Sequence, residues 1–257
     1  NTLQRMVDRE AKRAEGKGVG YDRWASLHNL KQMAATHNFL MENELLDLDK
    51  TIAAKLFEGK TYPWEALDGI KSFILELGET LSADEYDHPE EGVWIAKDAK
   101  IFPSAYIGAP CIIDHGAEVR HCAFIRGSAI VGKNAVVGNS TELKNVVLFD
   151  NVQVPHYNYV GDSILGYKAH MGAGSITSNV KSDKTLVTVH IPDAPIETGR
   201  KKFGAILGDN VEVGCNSVLN PGTVVGRCSN IYPVSCVRGV VPANSIYKAK
   251  DNIVAKK

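Results

Sequence analysis

The chain places an aliphatic or aromatic residue at every sixth position: Ile95, Ile101, Ile107, Ile113, Val119, Ile125, Val131, Val137, Leu143 and Phe149, with Pro155 closing the run. Four residues after most of these comes something small, from Ala99, Ala105 and Cys111 through Ala117, Ala123, Ala129 and Ala135 to Thr141. The phase slips between Pro155 and Val160, returns at Leu165 and Met171, breaks again, and resumes at Leu207, Val213, Leu219, Val225, Ile231 and Val237. A helix repeats at 3.6 residues and a strand at 2.0, so neither generates this period. A triangular β-solenoid does: three hexads make a coil, the large residue points inward, and the small one fits a tight corner. About twenty hexads imply roughly seven coils of parallel β-helix over residues 92–247. Each coil buries its faces only on its neighbours, so the ends need caps.

Upstream the period changes. Trp64, Leu67, Ile70, Phe73, Ile74 and Leu77 recur at helical spacing, with Pro63 where a helix start tolerates it. This predicts an amphipathic helix that caps or packs beside the first coil. The acidic SADEYDHPEEG of residues 82–92, with Pro89 and Gly92, suits a linker, so 42–91 form a helical cap and linker. Trp24, Leu27, Leu30, Met33, Ala34 and Leu40 predict another helix after the basic AKRAEGKGVG. The stretch GVGYDRWASLHNLKQMAATHNFL resembles a segment of plasmid relaxases, without a catalytic motif of that family. Because the chain opens on Asn1, two readings of residues 1–41 stand: a foreign or fused segment preceding Met41, or a simple helical arm. The lysine-rich 248–257 is expected to be a solvated tail. The fold class is thus mainly β, a parallel β-helix preceded by an α-helical N-terminal region.

Composition narrows the function classes. At 257 residues, 44% hydrophobic and 23% charged, the chain can bury a substantial core. A formal net charge of -1 gives no whole-protein attraction to nucleic acid or membranes. No apolar run nears the roughly 18 residues of a membrane span, and no signal-type apolar core opens the chain, so a cytoplasmic location is expected. The five cysteines, Cys111, Cys122, Cys215, Cys228 and Cys236, form no CxxC pair and no cluster with zinc spacing. Neither a metal nor a disulfide framework is expected, and the thiols should be reduced and mostly buried.

A solenoid does not declare its chemistry; a site shows itself where polar residues interrupt the repeat. The clearest interruption is NSTELKNVVLFDNVQVPHYNYVGDSILGYKAHMGAGSITSN, residues 139–179. This block resembles the C-terminal acetyltransferase domain of bifunctional UDP-N-acetylglucosamine pyrophosphorylase/glucosamine-1-phosphate acetyltransferases. From TYPWEAL at Thr61 to NPGTVVG, the chain looks more like shorter solenoid proteins described as UDP-N-acetylglucosamine pyrophosphorylase-related. The family is the hexapeptide-repeat acyltransferases. The resemblance implies a left-handed coil, an exception to the usual right-handed crossover, acetyl-CoA as cosubstrate, and a homotrimer with sites between subunits.

Residue by residue, the resemblance puts His156 on the family's catalytic histidine. A neutral imidazole is suited to take a proton from an amine attacking a thioester. Arg126 and Lys144 fall on two residues that hold the sugar phosphate; eighteen residues apart, they should stack one coil above the other. The imidazole at 156 is then expected within reach of that phosphate, all three side chains sharing one face. Glu142, Tyr159 and Asn179 match further sugar-contacting positions, Glu142 as a partner that orients His156 or the amine. Lys184 aligns, one residue out of step, with another phosphate-binding lysine, and His170 stands where the family has a sugar-binding asparagine. Ala173, Cys215 and Lys248 match the passage of the acyl-CoA, with Cys215 in place of a serine. The longer loop VKSDKTLVTVHIPDAPIETGRKKF could cover the site as a lid, its Arg200, Lys201 and Lys202 contacting phosphates of CoA or sugar.

The nucleotidyltransferase half of the bifunctional enzymes has no counterpart: no Gly-rich nucleotide loop follows an N-terminal strand, so uridylyl transfer and a catalytic Mg2+ are not expected. The expected function is acetyl-CoA-dependent N-acylation of an amino-sugar phosphate resembling glucosamine 1-phosphate. The alternative is a non-catalytic solenoid that binds a sugar phosphate or sugar nucleotide.

Overall fold

In the computed structural model, residues 40, 42–191 and 195–256 are described. The helix expected over residues 24–40, and both readings of 1–41, lie outside the described residues apart from Leu40. From Val93 onward the chain winds as a triangular solenoid of short parallel strands. One column of strands begins with Val93–Ala96, Cys111–Ile113 and Ala129–Val131 and ends with Thr223–Val225 and Val240–Val241. A second holds Tyr106–Ile107, Phe124–Ile125, the starts of Glu142–Leu148 and Tyr159–Leu165, Ile176–Thr177, Val218–Leu219 and Cys236–Val237. The third runs from Lys100–Ile101 through Val136–Asn139, Gln153–His156 and His170–Met171 to Ser245–Ala249. Eight parallel strands stack in that third column, so the solenoid has about eight turns, one more than the hexad count implied.

The inward ladder follows the predicted period, but its slips are relocated: Leu148 and Val154 take the inward places the count gave Phe149 and Pro155. Leu143 pairs with Ile125, eighteen residues back, but Leu148 pairs with Val131, seventeen back. The phase therefore slips twice, between Lys144 and Val146 and again one coil on between Gly161 and Ser163, and not between Pro155 and Val160. Phe149 instead meets the Phe57 ring edge-on outside the prism, centroids 5.8 Å apart. A corner shortened by one residue is closed by positive φ: Asn145 stands at 55° and Asp162, one coil on, at 47°.

Both ends are closed by antiparallel strands. The segment expected as a linker forms Tyr86–Glu90, paired with Val93–Ala96. The tail expected to be solvated is exposed, and within it Asn252–Ala255 forms a strand paired with Ser245–Ala249. Each covers an end whose open backbone groups would otherwise template another chain.

Of the two roles expected for the helical region, it takes the second, packing beside the first coils and extending along the prism. Pro63–Asp68 is a 3-10 helix whose entry is fixed by the Glu65 carboxylate accepting from the Thr61 and Tyr62 N–H groups, at 2.7 and 3.3 Å. Gly69 breaks it from the helix Ile70–Gly78. These elements do not sit on the end of the prism. They form a strap along the first column: Leu45 O accepts from Asp209 N, Lys50 O from Asp150 N, Trp64 packs on Phe203, and the helix crosses strands 142–148, 129–131 and 111–113. This face is therefore apolar outside as well as inside. Ile112, Ile130, Val147, Ile164, Ile206 and Val224 point away from the prism core and are all fully buried.

Of the cysteines only Cys111 is buried, with its thiol pushed up to about 12 by burial. Cys122, Cys215 and Cys236 are exposed, correcting the expectation of mostly buried thiols. Cys122 and Cys228 occupy positive-φ corners, which lie at the prism edges, away from the packed interior. Among the described residues no helix is long and apolar enough to cross a membrane.

Candidate functional site

The second column is bare where the first is strapped, and polar residues gather on it. Inward Ile125, Leu143 and Val160 alternate with outward side chains: Phe124 and Arg126, Glu142 and Lys144, Tyr159 and Gly161. Lys144 thus stacks one coil from Arg126, as the eighteen-residue spacing predicts. Like charges so placed repel, and each is met by its own carboxylate. Arg126 Nη1 is 2.9 Å from Glu142 Oε1, and Lys144 Nζ is 3.1 Å from Asp162 Oδ2. The hydrogen bond and charge of Glu142 hold the Arg126 guanidinium above its ordinary range.

Asp162 organises the corner where this face turns into the strapped one. Its side chain, 5% exposed, also accepts from Asn145 Nδ2 at 3.0 Å and Asn179 Nδ2 at 2.6 Å. Asn145 Nδ2 in turn reaches Leu67 O of the strap at 3.2 Å, tying the corner to the strap. Tyr159 bends over Gly161, where an added Cβ would meet its hydroxyl at 2.5 Å, and that hydroxyl accepts from Asn179 Nδ2 at 3.2 Å. Burial, then the Asp162 and Glu142 carboxylates, push the phenol above its usual range, so it remains an O–H donor at neutral pH.

His156 does not share that face. It ends the third-column strand Gln153–His156, paired with Asn139, one residue before the corner at Tyr157. Arg126 and Lys144 lie at the opposite margin of the second face. From His156 to Gly161, the equivalent of Lys144 one coil on, is five residues, at most about 17 Å of extended chain. One phosphate cannot touch both margins; a ligand joining them must lie across Glu142 and Tyr159. Glu142 is committed to Arg126 and does not orient His156, whose exposed imidazole has no hydrogen-bond partner among the described residues.

The cofactor positions line up with His156. The N–H of Gly174 donates to His156 O, that of Asn216 to Ala173 O, and that of Val234 to Cys215 O, so His156, Ala173 and Cys215 form one column along the prism edge. Lys248 lies near its far end, its ammonium 6.0 Å from the centroid of the Tyr232 ring. Two predicted residues fall elsewhere. His170 pairs with Gln153 on the third face, its Nδ1 2.7 Å from Glu212 Oε2, because it precedes inward Met171 by one residue. Lys184 is exposed at a positive-φ turn of the insertion and does not line the cavities beside Lys144.

The insertion does return to the site. After the small hairpin of Thr188–Val189 and Ile196–Glu197, Gly199 to Lys202 border a cleft of about 490 Å³ with Leu67, Asp68, Lys71, Ser128, Lys144, Asn145 and Asp162. Three contributors escaped the sequence reading: Asp162, Lys71 and Tyr157. Asp162 was legible as the acid seventeen residues after Asn145, once the shortened corner is recognised. Tyr157 is 64% exposed at φ 51°, an aromatic at a corner that elsewhere holds Cys122, Ser140, Gly174, Asn216 and Val234.

The family described as the GMPPB C-terminal domain matches residues 107–229. A bifunctional protein GlmU of Methanococcus maripaludis is 36% identical over 117 residues, 46% of this chain and 28% of that protein. A bifunctional sugar-1-phosphate nucleotidylyltransferase/acetyltransferase of Sulfurisphaera tokodaii is 34% identical over 107 residues, 42% of this chain and 27% of its own length. The matched segment thus spans little more than a quarter of these relatives. Among solved structures, the acetyltransferase domain of PglB from Neisseria gonorrhoeae, in complex with acetyl coenzyme A, aligns at TM-score 0.30 and 16% identity, covering 70% of this chain and 63% of that one. With the six-residue ladder and the matched block on the page, the chain resembles the hexapeptide-repeat acyltransferases, and its solenoid is similar to part of the bifunctional GlmU proteins.

Proposed function

We propose that this protein transfers an acetyl group from acetyl-CoA to the amine of an amino-sugar phosphate. The observation that carries the reading is the second face itself: cations at one margin, Glu142 and Tyr159 across the middle, and the His156 edge at the other margin. The phosphate rests on Arg126 and Lys144, the sugar lies over Tyr159 with Asn179 steadying that phenol, and the amine is presented to His156. The thioester arrives along the edge of Ala173 and Cys215, with Lys248 toward the CoA phosphates. The amine attacks the acetyl carbonyl, the imidazole takes the proton, and the tetrahedral intermediate collapses. CoA leaves as thiolate and recovers that proton from the imidazolium. Acetyl-CoA as cosubstrate also fits a relative whose name carries acetyltransferase.

The solenoid is proposed to be left-handed and to assemble as a homotrimer around its bare faces. Exposed Tyr106 and Tyr157, on and beside the second face, are suited to a closed cyclic contact. The reaction and its CoA substrate suit a cytoplasmic setting. One observation favours the non-catalytic alternative: among the described residues the His156 imidazole has no partner of the kind that normally orients a general base. Release of free thiol from acetyl-CoA with glucosamine 1-phosphate, in the parent and in His156→Ala, decides between them. Turnover abolished in the variant supports catalysis; a silent parent that still binds the sugar phosphate supports the alternative.

A further inference from the structure

The repeat accounts for two cations at the site, Arg126 and Lys144, and each is already neutralised by a carboxylate of the same face. The cleft beside them carries more. Lys71 comes from the strap, and Arg200, Lys201 and Lys202 come from the insertion that interrupts the hexads. Arg200 is paired with Asp68 of the strap. Lys71, Lys201 and Lys202 are exposed and make no ion pair among the described residues. Two elements remote in sequence, strap and insertion, thus bring uncompensated positive charge to one concavity, a cost in repulsion that a bound anion removes.

The concavity is also larger than one phosphate needs. The cleft of about 490 Å³ adjoins a second of about 200 Å³ lined by Lys71, Arg126, Gly127, Ser128, Lys144 and Asn145. Lys71, Ser128, Lys144 and Asn145 border both, so the two form a continuous groove. A groove of this size is in the range of roughly 300–1,000 Å³ that encloses drug-sized ligands. One phosphate on Arg126 and Lys144 leaves the Lys201 and Lys202 end empty; a second, joined through a bridging oxygen, reaches it.

We infer that this groove is a diphosphate site, with one phosphate on Arg126 and Lys144 and the next on Lys71, Lys201 and Lys202, and that the ligand is a sugar linked to a nucleoside diphosphate. The inference rests on the acyltransferase reading only for the sugar; the diphosphate site stands on the charges. CoA also carries a diphosphate, but its proposed track is the His156–Ala173–Cys215 edge, at the other margin of the face.

Calorimetric titration of the whole chain with orthophosphate, inorganic pyrophosphate, UDP and desulfo-CoA tests this. Pyrophosphate and UDP are expected to bind roughly tenfold or more tighter than orthophosphate, as charge-assisted contacts to the second phosphate would give. Lys201→Gln/Lys202→Gln removes that preference, bringing pyrophosphate and UDP down to about the affinity of orthophosphate, whereas Arg126→Gln weakens every anion. Lys100→Gln/Lys97→Gln, the same loss of charge on remote exposed residues, changes neither. UDP tighter than pyrophosphate assigns the nucleotide as part of the ligand, and UDP no tighter overturns that part. Equal affinity for pyrophosphate and orthophosphate, an unaffected double variant, or desulfo-CoA displacing pyrophosphate overturns the site. Thiol release separates the two readings. Diphosphate binding without turnover removes the acyltransferase and keeps the site; turnover on the sugar monophosphate without diphosphate preference does the reverse.

Discussion

The strapped face and the bare face of this prism are built on the same inward ladder, and only their outward positions differ. On the first, the triads Cys111–Ile113, Ala129–Val131 and Ala205–Leu207 are buried throughout because residues 42–78 lie over them. On the second, the outward positions hold Arg126, Glu142, Lys144 and Tyr159 and stay in contact with solvent. The inner residue therefore encodes the fold, and the outer one decides whether a face is sealed or left for a ligand. Substitutions on the two faces should separate stability from chemistry.

The largest effect is expected on the bare side. His156→Ala should cut turnover by about 10²- to 10⁴-fold, the usual worth of a general base, while leaving the thermal midpoint within about 2 °C because the side chain is exposed. Steady-state thiol release and calorimetry read the two halves. A variant that unfolds early or keeps full turnover would break the division of labour between faces.

On the strapped side the result should invert. Trp64, 2% exposed, stacks on Tyr62 and packs against Phe203, so Trp64→Ala is expected to cost about 3–5 kcal/mol in denaturant unfolding. Phe124→Ser on the bare face, where the ring is 43% exposed, should cost no more than about 1 kcal/mol. If the two cost the same, the strap is not what stabilises its face.

A third variant addresses what both faces share, the close approach of successive coils. A Cβ on Gly138 would fall 1.6 Å from Pro155 O, in backbone that cannot swing aside. Gly138→Ala should destabilise by about 1–3 kcal/mol or more, although the substitution adds only a methyl group. Calorimetry of that variant beside Gly59→Ala, where nothing lies within 4 Å and only the left-handed φ of 73° resists a Cβ, separates backbone strain of about 1 kcal/mol from the clash.

How much of this was legible follows the same line. The inward ladder was readable because stacking demands a large apolar residue at a fixed interval, and the pairing of Lys144 with Arg126 followed from that interval. The strap was half readable: Trp64 to Leu77 announced a helix, but its seat along the prism was written elsewhere, in runs of three apolar residues such as AIV and AIL that a one-sided strand does not need. The shortened corner at Asn145 was hidden because Phe149 is apolar and kept the apparent phase. His156 was placed on the wrong face because a period locates a residue along the coil, whereas its face depends on where the corners fall. Lys71 and the Lys201–Lys202 pair were invisible as a group, since only tertiary packing joins strap to insertion.

The smallest expected effect is at the edge of the strapped face. Asp150 receives the Lys133 N–H on Oδ1 at 2.9 Å, and its own N–H donates to Lys50 O of the strap. Burial, only partly offset by that N–H and by the ammonium groups of Lys133 and Lys50, raises its carboxyl above the ordinary 3.8. A raised acid binds its proton more tightly folded than unfolded. Its contribution is thus fully present below the unfolded value and is lost as pH rises through the folded one. Asp150→Asn, which keeps an oxygen for the Lys133 N–H, should flatten that segment of the stability curve and slightly stabilise the protein at pH 7. Urea melts at pH 3.5, 5 and 7 in parent and variant measure it. Adding Trp64→Ala to loosen the strap should shrink the difference between Asp and Asn, because the strap is what keeps water from this carboxylate. A difference that survives the loosened strap would assign the shift to Asp114, whose charge also raises it, and not to burial.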